Sequence, residues 1–199
     1  AHPIALAAQR AADLVSKILA YAGEGRVIAE LVDLDAVVRE MHELLQASVA
    51  QHCTLEYQSN GTIPAVKADP TQVRQVLLNL FVNASEAVDD GGRVRISSGT
   101  EYLDGVALSK MTLTADTKPG LFAYVQVADD GPGIDGATQA RIFEPFYSTK
   151  PNRRGLGLAA VQGIVRGHRG ALLLSSRLGQ GAVITVWFPI DPPVAARHA

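Results

Sequence analysis

Cysteine is nearly missing from these 199 residues: Cys53 stands alone, so no disulfide framework can form within the chain, and its composition fits a reducing compartment. No apolar run approaches the roughly 20 residues needed to span a bilayer, and no signal-peptide pattern opens the sequence. These absences lead us to expect a soluble, cytoplasmic chain, with membrane anchoring of a longer protein left open. An excess of charge of either sign is missing too. A formal net charge of −2 gives no reason to expect nucleic acid or an anionic membrane as partner. The five histidines, His2, His42, His52, His168 and His198, are scattered without metal-ligand spacing. No G-x-x-x-x-G-K-[ST] occurs, which excludes a P-loop. Gly155, Gly157 and Ala160 do satisfy the loose dinucleotide fingerprint. However, a basic loop precedes them where an apolar strand is required, and no acidic residue between Glu144 and Asp191 can hold a ribose.

What is present suffices for a core. Hydrophobic residues make up 47% and charged residues 19%, in a length that suits one domain and a small appendage. Residues 4–22 predict a helix with a heptad-like seam of Ile4, Ala8, Ala11, Val15, Ile18 and Ala22, ended by Gly23 and Gly25. Such a helix is too short to fold alone and wants a bundle partner, within the chain or across a homodimer. A strand near 29–33 and a helix over 35–50 follow, the helix with Val37, Val38, Met41, Leu44 and Leu45 inward. Thr54–Tyr57 alternates as a strand and Asn60-Gly61 turns. Asp69-Pro70 caps the next helix. Strands are predicted over 93–99 and 121–128 with a polar, loop-like linker at 100–120. A helix over 156–167 precedes strands at 171–176 and 182–188, which read as a hairpin around Leu178–Gly181. Helices and strands do not alternate regularly. The expected fold is therefore an α/β (α+β) two-layer sandwich, with a mixed sheet covered on one face by helices.

Three stretches bear chemistry. In the helix after Asp69, Gln75, Asn79, Asn83 and Glu86 fall on one stripe at about 100° per residue, opposite Val73, Val76, Leu77, Leu80, Ala84 and Ala87. The stripe lacks positive charge and is compatible either with a solvated face or with a hydrated Mg²⁺, which prefers oxygen ligands. The strand ending at Ala128 runs into Asp129-Asp130-Gly131-Pro132-Gly133. There Asp129 is either a turn-forming residue or an acceptor for an exocyclic amine. Phe143 and Phe146 are expected to anchor the following loop to the core. Lys150, Arg153 and Arg154 then lie just before Gly155-Leu156-Gly157-Leu158 opens a helix, a pattern that suits phosphate.

In order, the asparagine helix, Asp129-x-Gly131-x-Gly133, Phe143–Phe146, Gly155-x-Gly157 and Gly179-x-Gly181 resemble the N, G1, F, G2 and G3 boxes of sensor histidine kinases. These kinases belong to the wider ATPase group that includes gyrase, MutL and the heat-shock chaperone ATPases. The resemblance implies an ATP-binding catalytic domain over 26–191, a tail at 192–199, and in 1–25 the second helix of a dimerisation and phosphotransfer hairpin. It also implies that Asn83 ligates Mg²⁺ with Asn79 in support, and that Asp129 binds the adenine amino group in a pocket shaped by Gly131 and Gly133. A lid would run from Phe146 to Arg154, and Gly155, Leu156, Gly157 and Leu158 would contact phosphates. The γ-phosphoryl would pass to a histidine and then to an aspartate of a response regulator.

Departures from the pattern qualify this. No His-Glu or His-Asp acceptor motif occurs, so the chain is expected to bind ATP without phosphorylating itself. Glu86 and Ala87 stand where many members carry a basic residue and an aromatic, which leaves phosphate contacts to Lys150, Arg153 and Arg154. Arg153 replaces a frequent glycine, and Ala182 replaces a Thr or Ser near adenine. Weakened nucleotide binding is the expectation. The alternative is a non-catalytic regulatory module with a vestigial or conformational nucleotide site. A gyrase-like ATPase is disfavoured by the opening helix, the short lid and the lack of a second large domain.

Overall fold

The computed structural model describes residues 28–49, 53–114, 116–151 and 153–190. The helix expected over 4–22 and the divisions at 25 and 191 lie outside them. Chain order gives β1 (Glu30–Val32), α1 (Leu34–Val49), β2 (Cys53–Asn60), β3 (Val66–Ala68) and α2 (Pro70–Ser85). Next come β4 (Gly92–Leu103), α3 (Gly105–Ser109), β5 (Leu113–Thr114), β6 (Gly120–Asp129) and α4 (Gly136–Gln139). The last elements are α5 (Gly157–Gly167), β7 (Ala171–Ser176) and β8 (Ala182–Pro189). The six-stranded sheet runs β2-β4-β6-β8-β7-β5, while β1 and β3 form a small antiparallel ribbon. β2 and β4 are parallel and the other neighbours antiparallel. Parallel neighbours require a crossover, and here the crossover carries α2 onto the sheet face.

Local chemistry starts and stops α2. Asp69 Oδ1 accepts from the N–H groups of Thr71 (2.9 Å) and Gln72 (3.2 Å), with Pro70 in the first turn. The helix ends at Ser85 with Glu86 as its cap. Val73, Val76, Leu77, Leu80, Phe81 and Ala84 recur at helical spacing and are all buried. α1 buries Leu34, Val37, Val38, Met41 and Leu45, but Leu44, expected inward, is exposed. Ala87, expected on the core face, lies past the helix end and lines a cavity instead.

The helices α1, α2 and α5 share the main core with Ile96, Val125, Ile184, Val186 and Phe188. Successive strand residues point to opposite faces, so Trp187 enters a second cluster behind the sheet with Leu103, Leu108, Phe122 and Ala171. That cluster corrects the expectation of a loop at 100–120. β4 continues to Leu103, Asp104 caps α3 through the Ala107 N–H (2.7 Å), and β5 pairs with β7. The buried Leu103, Leu108 and Leu113 follow neither strand nor helix spacing, so periodicity does not reveal them. The Thr112 hydroxyl accepts the Leu174 N–H (3.0 Å), and the Thr117 hydroxyl donates to Gly170 O (2.8 Å). No helix among the described residues is long and apolar enough to cross a membrane.

Candidate functional site

A cavity of about 870 Å³ opens between α2, the end of β6, the start of α5 and the loop leading into it. Asp129, the last residue of β6, forms one part of its wall. Its Oδ1 accepts from the N–H groups of Gly131 (3.0 Å) and Ala182 (3.3 Å), while among the described residues Oδ2 has no donor. Burial pushes the Asp129 carboxyl above its ordinary pKa. The two N–H groups pull the other way without cancelling that push. A carboxylate with one oxygen held and the other unpaired is suited to receive a ligand N–H.

The β8 strand sets that arrangement. Gly181 has φ +72°, and a Cβ there would stand 1.9 Å from Asp129 O, so only glycine lets the two backbones meet. This contact brings Ala182 opposite Asp129 in the sheet register.

From α2, Asn79, Asn83 and Glu86 line the cavity, as the stripe predicts, whereas Gln75 lies outside the lining. Asn79 Oδ1 and Asn83 Nδ2 lie 3.7 and 3.8 Å from where a Gly157 Cβ would be, so both carboxamides border the start of α5. Asn79 Nδ2 is buried without a hydrogen-bond partner among the described residues. Among the described residues no side chain caps the first turn of α5, and Gly155, Leu156, Gly157 and Leu158 line the cavity. An uncapped helix start offers N–H groups and a partial positive charge to an anion.

The loop closes at a neck. Phe146 N–H donates to Gly155 O (3.0 Å), and Gly155, at φ +63°, fits against Tyr147 O, which a Cβ would approach to 2.3 Å. Within the loop, Lys150 Nζ donates to Glu86 Oε2 (3.1 Å), and Arg153 pairs with Glu86 Oε1. Burial depresses the Lys150 pKa, and the nearby Asp129 charge partly offsets it. Arg154 lines the cavity with no carboxylate partner among the described residues.

The structure thus brings Asn79, Asn83, Asp129, Gly133, Lys150, Arg153, Arg154, Gly155, Leu156, Gly157 and Leu158 around one cavity. Gly131 and Phe146 stand outside the lining. Gly131 passes close to Ala87 O, which a Cβ would meet at 2.6 Å. Phe143 anchors the loop to the core at 8% exposure, but Phe146, expected to do the same, is 68% exposed. Its left-handed backbone, φ +66°, forms the neck turn instead. Sequence reasoning missed the apolar lining of Val127, Ile134, Ile142 and Ile184. Val127 and Ile184 each lie two residues from Asp129 or Ala182 on the same strand face, a signal that strand alternation carries. Ile134 and Ile142 flank the four-residue α4, too short to register as a helix.

Residues 68–192 match the family model described as histidine kinase-, DNA gyrase B-, and HSP90-like ATPase. The sensor histidine kinase ZraS of Escherichia coli (strain K12) is 29% identical over 196 residues, covering 96% of this chain and 38% of its own length. Full-length ShkA in complex with AMPPNP superposes with a TM-score of 0.70 at 28% identity, over 92% of this chain and 37% of that one. Histidine kinase ThkA in complex with the response regulator TrrA gives 0.69 at 26% identity, over 96% and 50%. The chain therefore spans about two-fifths of the length of the ZraS kinases it matches.

Proposed function

Because the chain belongs to the histidine kinase-, DNA gyrase B- and HSP90-like ATPase family, we propose that its cavity binds Mg²⁺–ATP and that it serves as the catalytic domain of a two-component sensor histidine kinase. One observation carries the reading: among the described residues Asp129 keeps an unpaired Oδ2, in an apolar-walled cavity that also receives a start of α5 without a side-chain cap. Asp129 takes the adenine amino group, and Gly131 and Gly133 shape the loop behind it. The phosphates reach the N–H groups of Gly155–Leu158 and the Arg154 guanidinium, under a lid running from Phe146 to Arg154.

The residues present fit a magnesium ion. The carboxamide oxygens of Asn79 and Asn83 are ligands of the kind Mg²⁺ takes, and the buried Asn79 Nδ2, without a partner among the described residues, is a donor suited to a phosphate oxygen beside the ion. No group of three His, Cys, Asp or Glu forms a metal cage among the described residues. Mg²⁺ suits this sparse set, because it binds through substrate phosphates and keeps several waters. Asn83 would hold it with Asn79 in support, and the ion supplies neutralisation of phosphate charge.

The γ-phosphoryl passes to a histidine outside this cavity and from there to a response regulator aspartate. Neither histidine among the described residues fits as acceptor. His168 is buried with both ring nitrogens engaged, and His42 is partly covered beside the Tyr57 ring. The catalytic domain of this reading is residues 26–191; the hairpin helix expected in 1–25, a candidate for pairing within the chain or across a homodimer, lies outside the described residues. The likeness to ThkA in complex with TrrA supports the response regulator as partner.

Calorimetry tests the reading. ATP and ADP should bind with Mg²⁺, Asp129→Asn should abolish binding, and Asn83→Ala should weaken it. Undiminished affinity in Asp129→Asn sinks the adenine assignment. No binding by the unaltered chain at millimolar ATP favours a non-catalytic regulatory module that works by docking partners.

A further inference from the structure

Glu86 places a carboxylate where incoming phosphates need cations. It ends α2 on the stripe of Asn79 and Asn83, lines the same cavity, and is only 25% exposed. Each of its oxygens is taken by one lid cation: Oε2 by Lys150 Nζ at 3.1 Å, and Oε1 by Arg153. The lid and the end of α2 are thereby tied together across the cavity. Arg154, the third cation of the lid, has no carboxylate partner among the described residues and can meet an anion without breaking a pair.

We propose that Glu86 is an internal competitor for the polyphosphate: it occupies Lys150 and Arg153 until a ligand of greater negative charge takes them over. This rests on the nucleotide reading above. A carboxylate carries one negative charge, and a nucleoside triphosphate brings several, concentrated on oxygens that accept charge-assisted hydrogen bonds. Exchange of partners therefore favours ligands with more phosphate groups. Adenosine, which lacks phosphate, leaves the Glu86 pairs intact. The carboxylate also repels any phosphate that enters beside it, so Glu86 lowers affinity for polyphosphate while leaving adenine recognition untouched. Two positions that depart from the family pattern, Glu86 and Arg153, are in this way one device.

The test is calorimetry of ATP, ADP and adenosine on the full chain and on Glu86→Gln, each in Mg²⁺ and in EDTA. Expected is about fivefold tighter ATP binding in the variant, a smaller gain for ADP and none for adenosine. Adding Glu86→Gln to Lys150→Gln/Arg153→Gln should give no gain in ATP affinity, because the cations it competes for are gone. Unchanged or weaker ATP binding in folded Glu86→Gln overturns the proposal, as does an equal gain for adenosine. A loss confined to the Mg²⁺ buffer makes Glu86 a metal ligand and overturns it likewise. Failure of the nucleotide reading is seen separately, as ATP and adenosine both failing to bind the unaltered chain.

Discussion

The His168 ring nitrogen Nε2 accepts the Asp69 backbone N–H at 3.0 Å, while Nδ1 donates to Ile164 O at 2.8 Å. The two bonds fix the Nδ1–H tautomer and join the end of α5 to the start of α2. Those helices form the cavity from their other parts, so a buried histidine remote from it sets their spacing. His168→Ala leaves the buried Asp69 N–H without its acceptor, while Ile164 O keeps the backbone N–H of residue 168 (3.1 Å), and should cost about 1–3 kcal/mol in urea unfolding. His168→Gln, which can still accept from Asp69, should recover part of the loss. A cost under about 0.5 kcal/mol would remove the histidine from this role.

Asp129 should show a trade between stability and binding. Its pKa is raised by burial, so its contribution to stability is greatest below the ordinary carboxylate range and is lost as pH rises through the raised value. At neutral pH the buried charge is a liability. Asp129→Asn keeps an oxygen for Gly131 and Ala182 and removes the charge, so the ligand-free Tm should rise. ATP should then raise it no further. A ligand-free Tm below that of the unaltered chain would contradict this account.

Asp35 shows the opposite sign. Burial acts to raise its pKa, but donors from Tyr57, Ser59, Ser98 and Arg39 outweigh burial and bring it from 3.8 down to about 2. Its stabilising effect is present above about pH 4 and disappears as pH falls towards about 2. Asp35→Asn should lose on the order of 1–2 kcal/mol at pH 7. It should also flatten the stability–pH curve over that acid interval. An unaltered slope between pH 4 and 2 would refute the assignment.

Gly181→Ala tests the backbone contact behind Asp129. The added Cβ has no room against Asp129 O and no relaxed backbone at φ +72°. We expect a loss of about 2 kcal/mol or more, and nucleotide binding reduced more than in Gly179→Ala, whose Cβ meets nothing within 4 Å. Equal effects of the two substitutions would show that backbone conformation alone matters.

Most of the frame was legible because its signals are local. Asp69-Pro70 announces α2, alternation marks β6 and β8, and the glycines bracket the strand ends. The cavity residues were legible in part, since Asn79 and Asn83 repeat at a helical turn and Asp129 ends an apolar strand. What escaped depends on contacts between distant segments. Nothing near Glu86 in sequence reveals that Lys150 and Arg153 reach it, 64 and 67 residues on. Phe146 looks like an anchor by composition and is turned outward by the neck. The three residues of β3 and the irregular leucines of 103–113 are too few, or too unevenly spaced, for periodicity to register.

The two-residue β5 has a consequence out of proportion to its length. It stands on the outer edge of β7, whose Ala171–Leu174 run is apolar and would otherwise offer free N–H and C=O groups to any passing strand. β5 pairs at Ala171 and Leu172, and the hydroxyls of Thr112 and Thr117 take up Leu174 N–H and Gly170 O. The apolar β7 therefore does not present its own ladder to the sheet of a second molecule, and the stretch that looked like a polar linker shields this one edge from edge-to-edge pairing behind a strand of only two residues.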